Sequence, residues 1–182
     1  MKLLFISDIH GRKKNLNFLE QLVNKENFDK IVVLGDLYYT GLKSSDNDVN
    51  PILVKDFLTK YKDRIICIKG NCDSEIDVST SDFPICTELS LICVDNLNIY
   101  LTHGDIYNIE SSHMFNENSI LVHGHMHYPY IDKKDGVYFI CVGSISVPRN
   151  NSKCSYMIYE NKKFTIYDTD ENVIKCLNLQ DN

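Results

Sequence analysis

The sequence contains no long hydrophobic run. No apolar stretch approaches the ~20 residues that a membrane-spanning helix requires, and the run after Met1 reaches Asp8 too soon for a signal peptide. Repeats, low-complexity tracts and Pro/Gly/Ser linkers are also absent, so we expect residues 1–182 to form a single domain. With 43% hydrophobic and 24% charged residues, the composition excludes a disordered chain.

Arginine is scarce as well. Only three of the 19 basic residues are arginine, and 25 acidic residues leave a net charge of −6. A protein of that sign repels nucleic-acid backbones unless a local patch or a bound metal reverses the charge. General nucleic-acid binding is therefore not expected.

The seven cysteines include no C-x-x-C pair. Their number is odd, and several lie in apolar runs, as Cys67 does within residues 65–68, where a free cysteine behaves as a small hydrophobic residue. This usage is typical of free thiols in a reducing compartment, and the expected location is the cytoplasm.

The first half of the chain alternates strand and helix patterns. Short apolar runs predict buried parallel strands, and helical spacing of apolar residues predicts the segments between them. The predicted elements are strand Leu3–Ile6, helix Asn15–Lys25, strand Ile31–Leu34, helix Pro51–Lys62 and strand Ile65–Ile68. This order indicates a parallel sheet with right-handed crossovers.

The second half lacks a long helix pattern and contains short strand patterns separated by turn signals. The predicted strands are Leu89–Val94, Leu97–Leu101, Ile120–Val122, Val137–Val142, Tyr156–Tyr159 and Phe164–Tyr167, with turns at residues 95–96, 135–136 and 161–162. We expect a mostly antiparallel half, and two sheets packed face to face with helices outside would accommodate both halves.

Polar residues of one chemical kind follow the apolar runs, each beside a glycine. The segments are Ser7-Asp8-Ile9-His10-Gly11, Gly35-Asp36, Gly70-Asn71-Cys72-Asp73, Thr102-His103-Gly104-Asp105 and His123-Gly124-His125-Met126-His127. The carboxyl ends of parallel strands lie along one edge of a sheet, where ligands bind. Mixed Asp, His and Asn donors suit divalent cations such as Mn²⁺, Fe²⁺ or Zn²⁺. Each segment alone is an ordinary loop feature, and the succession of all five predicts a metal site.

The ordered pattern D-x-H, G-D, G-N-x-D, H-G and G-H-x-H resembles the signature of the calcineurin-like metallophosphoesterases. The segments MKLLFISDIHG (1–11), GNCDSEID (70–77), LTHG (101–104) and GSISVP (143–148) are similar to the small bacterial YfcE-type phosphodiesterases. The resemblance extends from Lys2 to about residue 170. It implies an α/β fold, a four-layer α/β/β/α sandwich of two mixed β-sheets flanked by helices.

The resemblance also implies a centre with two divalent cations. Asp8, His10 and His127 would hold one metal, Asn71, His103 and His125 the other, and Asp36 would bridge them. A hydroxide between the metals would attack a small phosphodiester, with Asp36, Asn71 and His103 as the catalytic residues that position it. The implied metal is Mn²⁺, with Fe²⁺, Zn²⁺ or Ni²⁺ as alternatives.

The sequence departs from the family at two places. Many members carry histidine directly after the asparagine of G-N-x-D, whereas this chain has Cys72, as YfcE-type members do. A thiol of pKa ~8.5 is a poor proton donor or phosphate clamp, so an inert thiol is expected. The usual N-P-G-S is here Cys141-Val142-Gly143-Ser144, which leaves the local role of the Asn-Pro pair open.

Other polar residues near these motifs receive supporting roles. We expect His123 to support a ligand or pack in the core, His113 to be exposed, Asp73 and Asp105 to orient ligands, and Arg12 to contact phosphate or remain solvated. The segment from Tyr38 to Asn50 is long for a βα loop. Its residues Tyr38, Tyr39, Thr40 and Lys43 would line the substrate site or mediate self-association into a homo-oligomer.

Three functions stay open at this stage. The leading hypothesis is a metal-dependent phosphoric diester hydrolase. The second is a phosphomonoesterase or nucleotide pyrophosphatase of the same fold. The third is an interaction scaffold, because a retromer subunit of this fold serves mainly as a platform. All seven inferred ligand positions carry competent residues, which favours an enzyme.

Overall fold

The computed structural model describes residues 1–39, 47–86 and 88–180. Two of the loop residues singled out above, Thr40 and Lys43, lie outside these ranges. The described strands are β1 Lys2–Ile6, β2 Lys30–Val33, β3 Ile65–Ile68, β4 Ile85–Cys86, β5 Leu89–Val94, β6 Leu97–Thr102, β7 Ile120–His123, β8 Pro129–Lys134, β9 Val137–Val142, β10 Ser155–Glu160, β11 Lys163–Asp168 and β12 Val173–Asn178. The helices are α1 Leu16–Lys25, α2 Pro51–Thr59, α3 Glu75–Thr80 and a 3₁₀ helix, Ile109–Met114.

The strands form two mixed sheets, as expected. A seven-stranded sheet has the order β12-β11-β10-β1-β2-β3-β4, in which β1 to β4 are parallel and β10 to β12 antiparallel. A five-stranded sheet has the order β5-β6-β7-β9-β8. In it β6, β7 and β9 are parallel, a pairing that the sequence did not predict. The parallel pairing matters because it brings the ends of β6 and β7 to one edge.

Alternating side chains of the seven-stranded sheet enter two cores. On one face Leu4, Ile6 and Val33 pack against α1 and α2. On the other face Leu3, Phe5 and Val32 pack against residues of the five-stranded sheet. The outer face of that second sheet is covered by residues of the 3₁₀ helix and its surroundings. The predicted helical fourth layer is thus, within the described residues, this short 3₁₀ helix.

Local sequence explains why the two long helices form. Helix α1 buries Leu16, Leu19, Leu22 and Val23 on one face, and burial of each such side chain contributes roughly 1.5–3 kcal/mol. Helix α2 begins at Pro51, whose fixed φ suits the first turn, and the Asn50 side chain accepts a hydrogen bond from the backbone N–H of Leu53 at 3.1 Å. Helix α2 ends at Thr59, three residues before the predicted end.

The predicted hairpin turns are present. At residues 95–96, 135–136 and 161–162 both turn residues have positive φ, between 50° and 78°. This conformation suits a tight turn between right-twisted strands, and Asn, Asp and Gly adopt it most readily. None of the described helices is long and apolar enough to cross a membrane.

Candidate metal centre

The loops that follow five strands meet at one edge of the molecule. All seven predicted ligands lie there, linked in a continuous series of contacts no longer than 3.5 Å. They follow β1 (Asp8 and His10), β2 (Asp36), β3 (Asn71), β6 (His103) and β7 (His125 and His127). Asp8, Asp36, His103 and His127 are buried, and Asn71 is exposed at the surface.

The first group of donors comprises Asp8, His10, Asp36 and His127. One ligand atom of each lies within 4.8 Å of those of the other three. Nε2 of His10 is 3.3 Å from Nε2 of His127, and Nε2 of His127 is 3.1 Å from Oδ1 of Asp8.

The second group surrounds His103. Its Nε2 lies 3.0 Å from Oδ1 of Asn71 and 3.3 Å from Nδ1 of His125. Oδ2 of Asp36 lies between the groups, 3.5 Å from Nε2 of His10 and 3.4 Å from Nε2 of His103.

Main-chain carbonyl oxygens orient three of the histidine rings. Nδ1 of His10 donates to the Tyr39 carbonyl at 2.7 Å, that of His127 to Val147 at 2.6 Å, and that of His103 to Leu34 at 2.6 Å. A carbonyl oxygen only accepts, so each neutral ring carries its proton on Nδ1 and presents a bare lone pair at Nε2. These lone pairs point at one another and at carboxylate oxygens.

Acceptors that face acceptors in a buried site need a proton or a metal cation between them. Oδ1 of Asp8 is buried, and it has no hydrogen-bond donor in the part of the chain that the structure describes. Imidazole nitrogens with carboxylate and amide oxygens are the donors that Mn²⁺, Fe²⁺ and Zn²⁺ accept. The residues therefore fit divalent metal ions.

The electrostatics of the metal-free site lead to the same conclusion. Burial alone would raise the pKa of Asp36 and lower that of His103, but the hydrogen bond between them and the opposite charges around them together outweigh burial, lowering the pKa of Asp36 and raising that of His103 to about 9. Without metal, a proton on His103 thus compensates part of the carboxylate charge. A bound cation would displace this proton, since ligating nitrogens must be deprotonated.

The backbone at the ligands is unusual. Asp8, His10, Asp36, His125 and His127 all have φ between 52° and 62°, in the left-handed region. Such a residue other than glycine is uncommon and costs of order 1–3 kcal/mol. Strained backbone of this kind concentrates at binding sites, where the surrounding structure holds it in place.

Asp73 holds two of the ligand loops together. Its buried carboxylate accepts the backbone N–H groups of Asp36, Leu37 and Gly70, each at 2.8 Å. The expected orienting role of Asp73 is thus exerted through the backbone of the loops. Gly70 allows the close approach, because a Cβ there would lie 2.3 Å from Oδ1 of Asp36.

The segment GSISVP (143–148) supports the first group of donors. The Ser144 hydroxyl donates to the Asp8 carbonyl at 2.8 Å and accepts the backbone N–H of Val147 at 2.7 Å. Val147 in turn holds the His127 ring through its carbonyl. The sequence comparison identified this segment but assigned it no role, although its serine could have indicated a hydrogen-bonding function. Where the family has Asn-Pro, Cys141 and Val142 continue strand β9.

Cys72 lies within the centre with a protonated thiol. Its backbone N–H donates to Oδ1 of Asp36 at 2.9 Å, and its Sγ accepts from the Asn71 amide at 3.3 Å. Burial and the nearby Asp36 raise the pKa of the Cys72 thiol to about 12. A group with that pKa is a weak proton donor at neutral pH.

The other polar residues named in the sequence analysis lie in different environments. His123 is buried, and burial lowers its pKa to about 4, whereas His113 is exposed. Asp105 is exposed and acts on His125 through space, in contrast to the close orienting contact expected of it. Arg12 pairs with Asp48 at 3.6 Å.

The two tyrosines of the long loop differ from each other. The Tyr38 ring is buried and its hydroxyl contacts Ser81, so the side chain does not line the site as considered above. Tyr39 is 47% exposed and orients His10 through its carbonyl.

The fold and the arrangement of the candidate ligands are those of a class of phosphoesterases. The profile of the calcineurin-like phosphoesterase superfamily domain matches residues 1–163, and the chain belongs to that superfamily. It is 29% identical to Phosphodiesterase YfcE of Escherichia coli strain K12 over 167 residues, which cover 91% of each chain. The solved structure of YfcE, a phosphoesterase from E. coli, superposes with a TM-score of 0.92 at 28% identity over 99% of this chain and 100% of that one.

A second solved structure shares the fold alone. Wild-type Vps29 from Entamoeba histolytica, complexed with Zn²⁺, superposes with a TM-score of 0.63 at 23% identity over 97% of each chain. The higher TM-score with YfcE places this chain structurally nearer to YfcE than to that Vps29.

Proposed function

We propose that this protein is a metal-dependent phosphoric diester hydrolase with two divalent cations. Asp8, His10 and His127 would hold the first cation, here called the first position. Asn71, His103 and His125 would hold the second cation, the second position, and Asp36 would contribute to both. The observation that carries the proposal is the convergence of three histidine Nε2 atoms on two carboxylate oxygens. The Nε2 atoms belong to His10, His103 and His127, and the oxygens are Oδ1 of Asp8 and Oδ2 of Asp36.

The chain's own residues supply the geometry for hydrolysis. Bound cations would lower the pKa of a water molecule and polarise a phosphoryl oxygen. Asp36 lies where it contacts donors of both positions, while the neutral Asn71 adds an oxygen without further negative charge. Two carboxylates against two dications leave the centre positive, which favours a phosphate anion.

The identity of the metal, the substrate and the location follow as finer proposals. Nitrogen and oxygen donors without a thiolate support Mn²⁺ first, and Fe²⁺, Zn²⁺ or Ni²⁺ as alternatives. The 29% identity with Phosphodiesterase YfcE supports a small phosphodiester as substrate. Seven unpaired cysteines support a cytoplasmic location.

Metal removal tests the proposal. Treatment with EDTA should abolish hydrolysis of bis(p-nitrophenyl) phosphate, and Mn²⁺ should restore it, with about two metals per chain in elemental analysis. Mn²⁺ at 100 times its Kd should also raise the free energy of unfolding by ~2.7 kcal/mol per site, which for a chain of this size is a rise in Tm of roughly 5–10 °C.

Asp36→Asn should remove nearly all of this activity, because it weakens both positions while keeping the side-chain volume. Asp56→Asn, an exposed carboxylate on α2, is the matched control and should hydrolyse normally. An Asp36→Asn protein with nearly full Mn²⁺-supported turnover would contradict the two-cation centre.

A further inference from the structure

A third histidine of the G-H-x-H region lies beneath the second position. His123 is fully buried at the end of β7, and its ring packs against Gly104, the residue after His103. A Cβ built on Gly104 would lie 2.5 Å from Nδ1 of His123, and Gly104 has a φ of +109°. The ring therefore fills the space directly under the backbone that presents His103.

Both ring nitrogens of His123 are engaged. Nδ1 lies 3.0 Å from the carbonyl oxygen of Gly124 and must donate to it, because a carbonyl only accepts. In the neutral ring Nε2 then accepts, and the Tyr130 hydroxyl donates to it at 2.8 Å. With its lone pair occupied, His123 is not available as a metal ligand.

These bonds fix the loop that carries His125. The Gly124 carbonyl has two further donors, the Met126 backbone N–H at 2.7 Å and the Cys141 thiol at 3.2 Å. The Gly124 N–H donates to the His103 carbonyl at 2.9 Å, so this single residue joins the two histidine loops. Tyr130 lies on β8 opposite Cys141 of β9, which anchors the arrangement in the five-stranded sheet.

We propose that His123 and Tyr130 are positioning residues that set the spacing of His103 and His125, and thereby the affinity of the second position. The inference rests on the proposed two-cation centre. Neither residue bonds to a ligand of the first position among the described residues, and only the His125 N–H on Asp8, at 3.0 Å, links this loop to an Asp ligand of that position, so the effect should be larger for the second cation than for the first. Partners that orient metal ligands typically change metal affinity by about 10–100-fold when removed.

Mn²⁺ titration of the metal-free protein, followed by electron paramagnetic resonance, tests this. In the wild type, the hyperfine pattern of an isolated Mn²⁺ should give way to the broadened signal of a coupled pair as the second position fills. Tyr130→Phe should raise the second Kd by about 10-fold and His123→Asn by up to about 100-fold, with a clearly smaller change in the first Kd. The double variant should lose no more than His123→Asn alone, because Tyr130 acts on the loop through its hydrogen bond to His123.

Tyr138→Phe is the matched control, since among the described residues its hydroxyl meets only Lys133, near the opposite end of β9. Thermal unfolding of the metal-free variants separates folding from metal binding. Equal weakening of both positions, additive losses in the double variant, or a similar loss in Tyr138→Phe would overturn the positioning role. A wild type that never shows a coupled pair would instead overturn the two-cation centre on which the role rests.

Discussion

At the scale of single residues, the tautomer of each histidine determines what the centre can bind. His10, His103 and His127 each donate Nδ1–H to a main-chain carbonyl, so three Nε2 atoms face the centre before any metal arrives. This arrangement reduces the reorganisation that metal binding requires. Loss of a ligand histidine should therefore reduce activity far more than loss of the adjacent thiol.

Cys72 and His103 provide the comparison. Cys72→Ser should change the turnover of bis(p-nitrophenyl) phosphate only modestly, because Cys72 is not one of the seven ligands and its replacement by serine leaves every ligand in place. His103→Asn should cost several orders of magnitude, because it removes a ligand nitrogen that faces both Asn71 and Asp36. Steady-state kinetics at saturating Mn²⁺ measures both; equal losses would mean that the thiol takes part directly.

At the scale of loops and strands, the positions of the ligands depend on loop backbone that is held by buried contacts beneath the centre. Gly35 and Gly70 touch, since a Cβ on Gly35 would lie 2.6 Å from the Cα of Gly70, and the Asp73 carboxylate accepts three N–H groups of the same two loops. The left-handed conformation of Asp36 is sustained by this network. The loops after β2 and β3 therefore act as one unit.

Asp73→Asn tests this unit. An amide group offers one acceptor oxygen where the carboxylate offered two, so at least one buried N–H loses its partner, at about 1–3 kcal/mol. We expect a lower Tm and a weaker affinity for Mn²⁺. Asp77→Asn is the control: Asp77 belongs to the capping box of α3, and its loss should lower stability slightly and leave metal affinity unchanged. Calorimetry with and without Mn²⁺ measures both effects, and an Asp73→Asn protein that binds Mn²⁺ normally would show that the loops are held by other contacts.

The same scale shows what sequence can and cannot predict. Buried strands are recognisable in the sequence as apolar runs, and the polar residues at their ends identified the candidate centre. Strand β12 was missed because its residues are largely exposed, and α3 because it buries none of its side chains and so has no apolar periodicity. Strand β8, with the sequence PYIDKK, lies at a sheet edge and begins with proline, which removes the alternating pattern.

The ligand conformations were also beyond prediction. The left-handed φ of Asp8, His10 and Asp36 depends on contacts between loops that are distant in sequence, such as the Ser144 hydroxyl on the Asp8 carbonyl. No local preference in the chain encodes them, because only the packed sheets bring those loops together. The pairing of His123 with Tyr130 is likewise visible only once β8 and β9 are adjacent.

At the scale of the whole molecule, the candidate centre joins the two sheets. Asp8, His10, Asp36 and Asn71 follow strands of the seven-stranded sheet, whereas His103, His125 and His127 follow strands of the five-stranded one. Cations held by both sets would connect the sheets across the end of the shared core, which is why Mn²⁺ should stabilise the fold. The chain as a whole carries a net charge of −6, and that charge bears on the substrate.

The charge and the site together favour a diester over a monoester. A monoester dianion meets more repulsion from an acidic protein than a diester monoanion does, and it gains most from an extra cationic clamp beside the two metals. It also gains most from a general acid, worth typically ~10²–10⁴-fold, which Cys72 does not supply. We therefore expect a kcat/KM for bis(p-nitrophenyl) phosphate clearly above that for p-nitrophenyl phosphate, measured at one pH and one Mn²⁺ concentration.

Two changes should narrow this preference, each for its own reason. Cys72→His would supply an imidazole beside the centre and should help the monoester selectively. Higher ionic strength should reduce the repulsion of the dianion by the protein as a whole, since the Debye length falls from ~10 Å at 0.1 M to ~3 Å at 1 M salt. If the wild type prefers the monoester at low salt, then neither the missing imidazole nor the net charge governs the choice of substrate, and the residues that contact the ester groups must do so.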